Sequence, residues 1–159
     1  MPDDFNIPSP PRTDEQIDAL GPQLRELLEA KEISGTAVRY GVPPQVVRSM
    51  TNVATNIWKA RVKMLDAASG EVREEMKRVY RHVEAALEGM LEMGLEVKDH
   101  TGDAFDYGLP LKVITAQPTP GITRESVIET IKPTIYWQQQ LIQIGEVVIA
   151  TPATPNPSL

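Results

Sequence analysis

Residues 71–98 read EVREEMKRVYRHVEAALEGMLEMGLEVK, and the change of texture inside this stretch decides the fold. Val72, Met76, Val79, Val83, Ala86, Met90, Met93 and Val97 recur at alternating steps of four and three. That spacing is the a/d seam of a helix packed nearly parallel to its neighbours. Gly94 then breaks the pattern, and Leu95-Glu96-Val97-Lys98 alternates apolar with charged residues, the period of a half-buried strand. The spacing predicts helix before residue 94 and strand after it.

Toward the N-terminus, Val46, Met50, Val53, Ile57, Ala60 and Met64 repeat the four–three steps, and Ala67-Ala68-Ser69-Gly70 separates the two runs. No proline occurs between Gln45 and Gly94, as helix requires. Tyr80 and Leu87 widen the second stripe beyond a two-stranded seam, which suits a bundle. Ser69 is placed to cap the second helix, with Glu71 near its positive end. Two such helices form a hairpin, or one long helix if the break stays helical. Hairpins from two chains would close a four-helix bundle with Val53, Ile57, Met64, Val72, Met76, Val79, Val83 and Met90 in its core. The alternative covers the stripe within one chain, using the first helix and the β module. That first helix is expected from an N-cap at Thr13 to about Glu32, interrupted near Gly21-Pro22. A short helix, Thr36 to Tyr40, lies between Gly35 and Gly41, and Pro43-Pro44 opens the next one.

Toward the C-terminus, Leu111 to Ala116, Val127 to Ile131, Ile135 to Trp137, Leu141 to Ile144 and Val147 to Ile149 read as short strands. Turn chemistry separates them at His100-Thr101-Gly102-Asp103, Pro118-Thr119-Pro120-Gly121 and Lys132-Pro133, and the last two runs flank a Gly145-Glu146 step. The expected class is α+β: helices in a dimeric four-helix bundle, then a small all-β domain. The expected divisions are a proline-rich disordered tail over 1–12, a helical dimerisation region over 13–94, the β domain over 95–152 and a second tail over 153–159.

The chain of 159 residues carries a net charge of -6, which argues against a broad nucleic-acid or anionic-membrane surface. It holds no cysteine, which excludes disulfides, thiol catalysis and cysteine metal sites. The opening Met-Pro-Asp-Asp-Phe-Asn lacks the basic end and apolar run of a secretory signal, and no stretch suits a bilayer, so a cytoplasmic protein is expected.

Visible chemistry is sparse. His82 and His100 lack the companion ligands that zinc spacing requires, and Asp99-His100-Thr101-Gly102-Asp103 departs from a calcium-loop pattern. There is no glycine-rich phosphate loop or nucleophile elbow. No catalytic residue, metal or cofactor is expected, and the chain reads as a non-enzyme. Glu84, Glu88, Glu92 and Glu96 repeat every four residues, either a solvated face or a docking edge for a basic partner. Thr36 to Met50 is similar to a helix-turn-helix, with small Ala37 four residues before Gly41 and with Val47 and Met50 as anchors. In that alternative, a DNA-binding dimer, Gln45, Arg48 and Ser49 would face the groove.

A family resemblance rests on the C-terminal half. Leu91-Glu92-Met93-Gly94-Leu95-Glu96, then Phe105-Asp106-Tyr107-Gly108-Leu109 with Val113, then Gly121-Ile122, Val127-Ile128 and Val147-Val148-Ile149-Ala150 follow one another. This series resembles the GrpE family, the nucleotide exchange factors of DnaK-type chaperones, over roughly residues 45 to 152. The chain departs from that family at Tyr107, at Lys132-Pro133-Thr134 and at Gln143 to Glu146. The resemblance implies a homodimer whose β module binds the chaperone's ATPase domain and promotes ADP release. By motif position it implies Phe105, Asp106, Ile144 and Glu146 as partner contacts. A non-enzymatic assembly adaptor is the remaining alternative.

Overall fold

In the computed structural model, which describes residues 14–153, three helices and six strands share one body. Helix α1 (Asp14–Tyr40) is continuous over 27 residues, through Gly21-Pro22 and Gly35, where two separate helices were expected. The strong helix formers from Gln23 to Lys31 carry it past the proline. The expected cap at Thr13 lies outside the described residues. Gly41 (φ +63°) then turns the chain in a left-handed conformation open to glycine, and α2 (Pro44–Lys63) starts with proline in its first turn.

After α2 a tight turn, not a helix cap, fills the break. Asp66 Oδ1 accepts bonds from the Ala68 and Ser69 amides (2.9 Å each), and Leu65 bridges to Val72. Ser69 therefore belongs to this turn. A single 3-10 turn, Glu74–Met76, leads into α3 (Lys77–Glu92), whose N-cap side chain makes no capping bond.

Six strands follow: β1 (Leu95–Lys98), β2 (Leu111–Thr119), β3 (Ser126–Lys132), β4 (Thr134–Trp137), β5 (Gln140–Gln143) and β6 (Gly145–Pro152). They make two three-stranded sheets, ordered β1-β4-β5 and β2-β6-β3. The first is antiparallel; in the second, β6 runs parallel to β2 and antiparallel to β3. The chain leaves the second sheet at Lys132, crosses on buried Pro133 into β4, and returns through Ile144.

Two cores result. In one, Val47 and Ala54 of α2, Ile33 of α1 and Met90 of α3 pack with Leu95, Ile135 and Ile142 of the first sheet. In the other, Val127, Val147 and Ile149 gather Phe105, Leu111 and Val113.

This arrangement overturns the expected four-helix bundle. The helices lie against the β1-β4-β5 sheet and each other, so the strands form no separate C-terminal domain. The reason lies in α2, which buries Val47, Thr51, Ala54, Thr55 and Trp58, a stripe one residue on from the heptad seam. Two of these five are threonines, invisible to a hydrophobic count, and both hydroxyls are satisfied. Thr51 Oγ1 donates to the Val47 carbonyl (2.8 Å), and Thr55 Oγ1 accepts from buried Gln143 Nε2 (3.0 Å), which also donates to the Pro133 carbonyl.

The eight expected bundle-core residues scatter accordingly. Val53 and Val79 are 50% and 49% exposed. Met90 is buried and Ile57 packs beside it, but against the sheet. Met64 and Val72 flank the Asp66 turn, where the Arg73 amide bonds the Met64 carbonyl. Met76 and Val83 are half-buried.

Candidate partner-binding site

The four residues expected to contact a partner border the second sheet at two places, Phe105 and Asp106 beside the start of β3 and Ile144 and Glu146 at the start of β6, and they differ in kind. Phe105 turns inward onto the Val127–Val147–Ile149 core, with its amide bonded to the Glu125 carbonyl (3.0 Å). Asp106 is exposed and spends its carboxylate locally: Oδ1 accepts from the Gly108 amide (2.8 Å), fixing the turn that leads to Leu109. Ile144 is half-buried between β5 and β6. Glu146, on the central strand, lies 3.7 Å from Lys112 and pairs in register with both Lys112 and Lys132.

The loop before β2 and the start of β6 are joined at Gly145, whose amide donates to the Pro110 carbonyl (3.2 Å). So the structure brings residues 110–113 and 145–147 side by side, while the Phe105 backbone lies beside Glu125. It makes Phe105 a support of the surface rather than part of it.

Beside Asp106, the exposed apolar members of this surface are residues not expected as partner contacts. Tyr107 is 80% exposed; its ring meets Phe105 edge-on at 5.0 Å and its hydroxyl donates to Glu125 (3.3 Å). The nearby Glu125 carboxylate holds the Tyr107 phenol above its ordinary pKa. Ile114, Ile128 and Ile131 are each at least 40% exposed. Each falls at a register shift, between Val113 and Thr115, Val127 and Glu129, or Thr130 and Lys132. A β-bulge leaves its extra residue outside the ladder, which is how three isoleucines become exposed along the Glu146–Ile149 stretch of β6. No signal in a single sequence marks a bulge, so nothing pointed to them.

At the other end of the molecule, Gln45, Arg48 and Ser49 are all exposed on α2. Gln45 and Ser49, though, border an apolar groove of about 340 Å³ whose walls are Val46, Met50, Val53, Met90 and Met93. Arg48 lies instead with exposed Asn52, Asn56, Lys59 and Lys63, spaced by four or three along one helix face. No acidic residue occurs in α2.

Between the two ends runs a buried polar network. Trp58 Nε1 donates to Asp99 Oδ2 (3.0 Å), tying α2 to the end of β1, and Asp99 Oδ1 accepts from the Thr101 amide (2.9 Å). Burial works to raise the Asp99 pKa, yet bonds from Thr101, Thr130 and Trp58 outweigh it and hold the carboxyl below its usual range. His100, 1% exposed, shares a 2.9 Å bond between Nε2 and Thr134 Oγ1. Its Nδ1 is 3.3 Å from Asp103 Oδ2 but without hydrogen-bond alignment, so that nitrogen has no partner among the described residues. Burial dominates, aided by Lys98, and pushes the His100 pKa down despite the Asp103 and Asp99 carboxylates. Among the described residues no cluster of three or more metal-ligating side chains occurs. The network reads as structural: Thr130 Oγ1 accepts from the His100 amide (3.0 Å) and Thr134 Oγ1 holds its Nε2.

No protein-family model and no characterised protein matches the chain. Among the described residues no helix is long and apolar enough to cross a membrane.

Proposed function

We propose that this chain is a binding protein whose β2-β6-β3 sheet engages a partner, acting as a GrpE-like nucleotide exchange factor on a DnaK-type ATPase domain. One observation carries the reading. Five of the positions on which the resemblance rests (Phe105, Val113, Val127, Val147 and Ile149) pack into a single core. The sheet built on that core turns Tyr107, Ile114, Ile128 and Ile131 outward. Exposed apolar side chains grouped on one small sheet favour protein contact. Exchange needs only that the sheet bind the open nucleotide cleft more tightly than the closed one, because a ligand shifts an equilibrium by its differential affinity.

The test is release of a fluorescent ADP from DnaK-type ATPase domains mixed with the full chain. The reading expects faster release, lost in an Ile128→Asp, Tyr107→Ala variant that keeps its circular dichroism. Unchanged release with every cognate chaperone tried would sink it.

The basic, acid-free face of α2 favours one second reading, DNA contact through Arg48, Lys59 and Lys63. Phosphate contacts make such binding steeply salt-dependent. Duplex binding that weakens with salt and falls in Arg48→Ala would support it; binding indifferent to salt would count against it.

A further inference from the structure

The first sheet ends on one side at β5, along which α1 packs, and on the other at β1. Beyond β1 no strand pairs among the described residues. A cavity of about 410 Å³ lies there, and its lining includes Leu95, Glu96 and Val97 in succession. Successive residues of a strand point to opposite faces. A cavity touched by three in a row therefore runs along the strand's edge, not over one face. Since β4 occupies the other edge, this is the free one, with its unpaired amides and carbonyls.

The opposite wall is one face of α3: Glu84, Leu87, Glu88 and Leu91 stand at helical steps of three, one and three. Trp58 and Asp99 also line it. Leu91, 59% exposed, has no apolar cover despite its place beside the edge. The polar lining is lopsided. Arg61 is committed to Glu84, and Asp99 to Trp58, whereas Glu88 and Glu96 have no ion-pair partner among the described residues. An edge strand facing a helix across an open slot is the geometry of strand addition, in which main-chain bonds give affinity and alternate side chains give specificity.

We infer that the slot between β1 and α3 binds an extended, basic segment of a partner protein as a fourth strand of the first sheet. Apolar residues of that segment pack toward Leu87, Leu91 and Val97, and its alternate cations meet Glu88 and Glu96. The chain's own ends are poor occupants. Residues 1–13 carry Asp3 and Asp4 with four prolines, and 154–159 carry two prolines in six residues, so neither combines cationic alternation with a full set of amide donors. The inference is independent of the chaperone reading, which uses the other sheet.

A fluorescein-labelled peptide alternating arginine and valine tests it on the full chain by fluorescence anisotropy. The probe is compared with two copies, N-methylated at the arginines or at the valines, and with a glutamate–valine peptide. In strand addition only one set of amides faces β1. One methylated copy should therefore lose binding by at least about tenfold while the other keeps it, although both retain full charge. The acidic peptide should not bind, and Glu88→Lys, Glu96→Lys should weaken the basic peptide by at least about tenfold at exposed positions. No binding of the parent peptide would overturn the inference. So would equal binding of the two methylated copies, because that is charge attraction to an acidic protein. ADP release unaffected by saturating peptide leaves the two sheets' functions separate, and loss of one activity would not remove the other.

Discussion

At the scale of single residues, Gly145 is crowded by both sheets at once. A Cβ there would sit 2.5 Å from Thr134 Oγ1 and 2.7 Å from Leu111 Cδ2, with the Thr134 amide at 3.3 Å. The glycine lets β6 leave β5 and start beneath both sheets at once, so overpacking it strains the joint itself. Gly145→Ala is expected to cost about 1–3 kcal/mol in urea denaturation, more than alanine at helical Gly89, where no atom stands within 4 Å and φ is not positive. His100 gives a second prediction, in pH. Its folded-state pKa lies below the ordinary 6.5, so the unfolded chain binds the extra proton first as pH falls. Stability from this group is complete above the unfolded value and is lost as pH drops through 6.5 toward the lower folded one. The urea midpoint should therefore fall between about pH 7.5 and 5.5, and His100→Gln, which can still bond Thr134, should flatten that fall. Asp99 acts in a separate, more acidic window. Its depressed pKa stabilises above the ordinary 3.8 and is lost only below it, so the two contributions can be told apart.

At the scale of elements, α2 and α3 each have a buried and an exposed side, and one substitution on each helix tells the packed stripe from the heptad seam. Val47 is fully buried against the sheet, so Val47→Ala should cost about 2 kcal/mol. Val79 on α3 is 49% exposed, so Val79→Glu should change stability by no more than about 0.5 kcal/mol. In a bundle core the second substitution would be the ruinous one, so thermal melts of this pair decide which stripe does the packing. The strands were legible as runs but not in their extents. Leu95 to Lys98 and Val127 to Ile131 stand out to a hydrophobic count. By contrast, β2 continues through Pro118-Thr119, expected as a turn, and β6 extends from Gly145 to Pro152 around the Val147 to Ile149 run. The helical packing was not legible. Thr51, Thr55 and Trp58 bury a stripe by satisfying each polar atom with Val47, Gln143 or Asp99, and such satisfaction appears only when the partners' positions are known. The candidate surface was half legible. Phe105 and Asp106 were picked out by motif, whereas Ile114, Ile128 and Ile131 owe their exposure to bulges, a property of strand pairing rather than of any one strand.

At the scale of the whole molecule, the two cores differ in what they need. The Val127–Val147–Ile149 core is closed by Phe105, Leu111 and Val113, all from residues after 104. The first sheet has no such independence. Leu95, Ile135 and Ile142 pack on Ile33, Val47, Ala54 and Met90, spanning all three helices, and Gln143 is satisfied partly by Thr55. A fragment of residues 95–152 would expose that face and leave the Gln143 amide short of one partner. The expected outcome is that the fragment fails to form the first sheet. In two-dimensional NMR, amides of β4 and β5 should be collapsed or broadened while any dispersed signals belong to β2, β3 and β6. The full chain should instead melt in one cooperative step by circular dichroism and by the fluorescence of Trp58 and Trp137, because the helices and the first sheet share one core. A fragment with native-like shifts for Ile135 and Ile142 would refute this. It would mean that the helices lie against a sheet already folded without them, and that the β half stands as a unit in its own right.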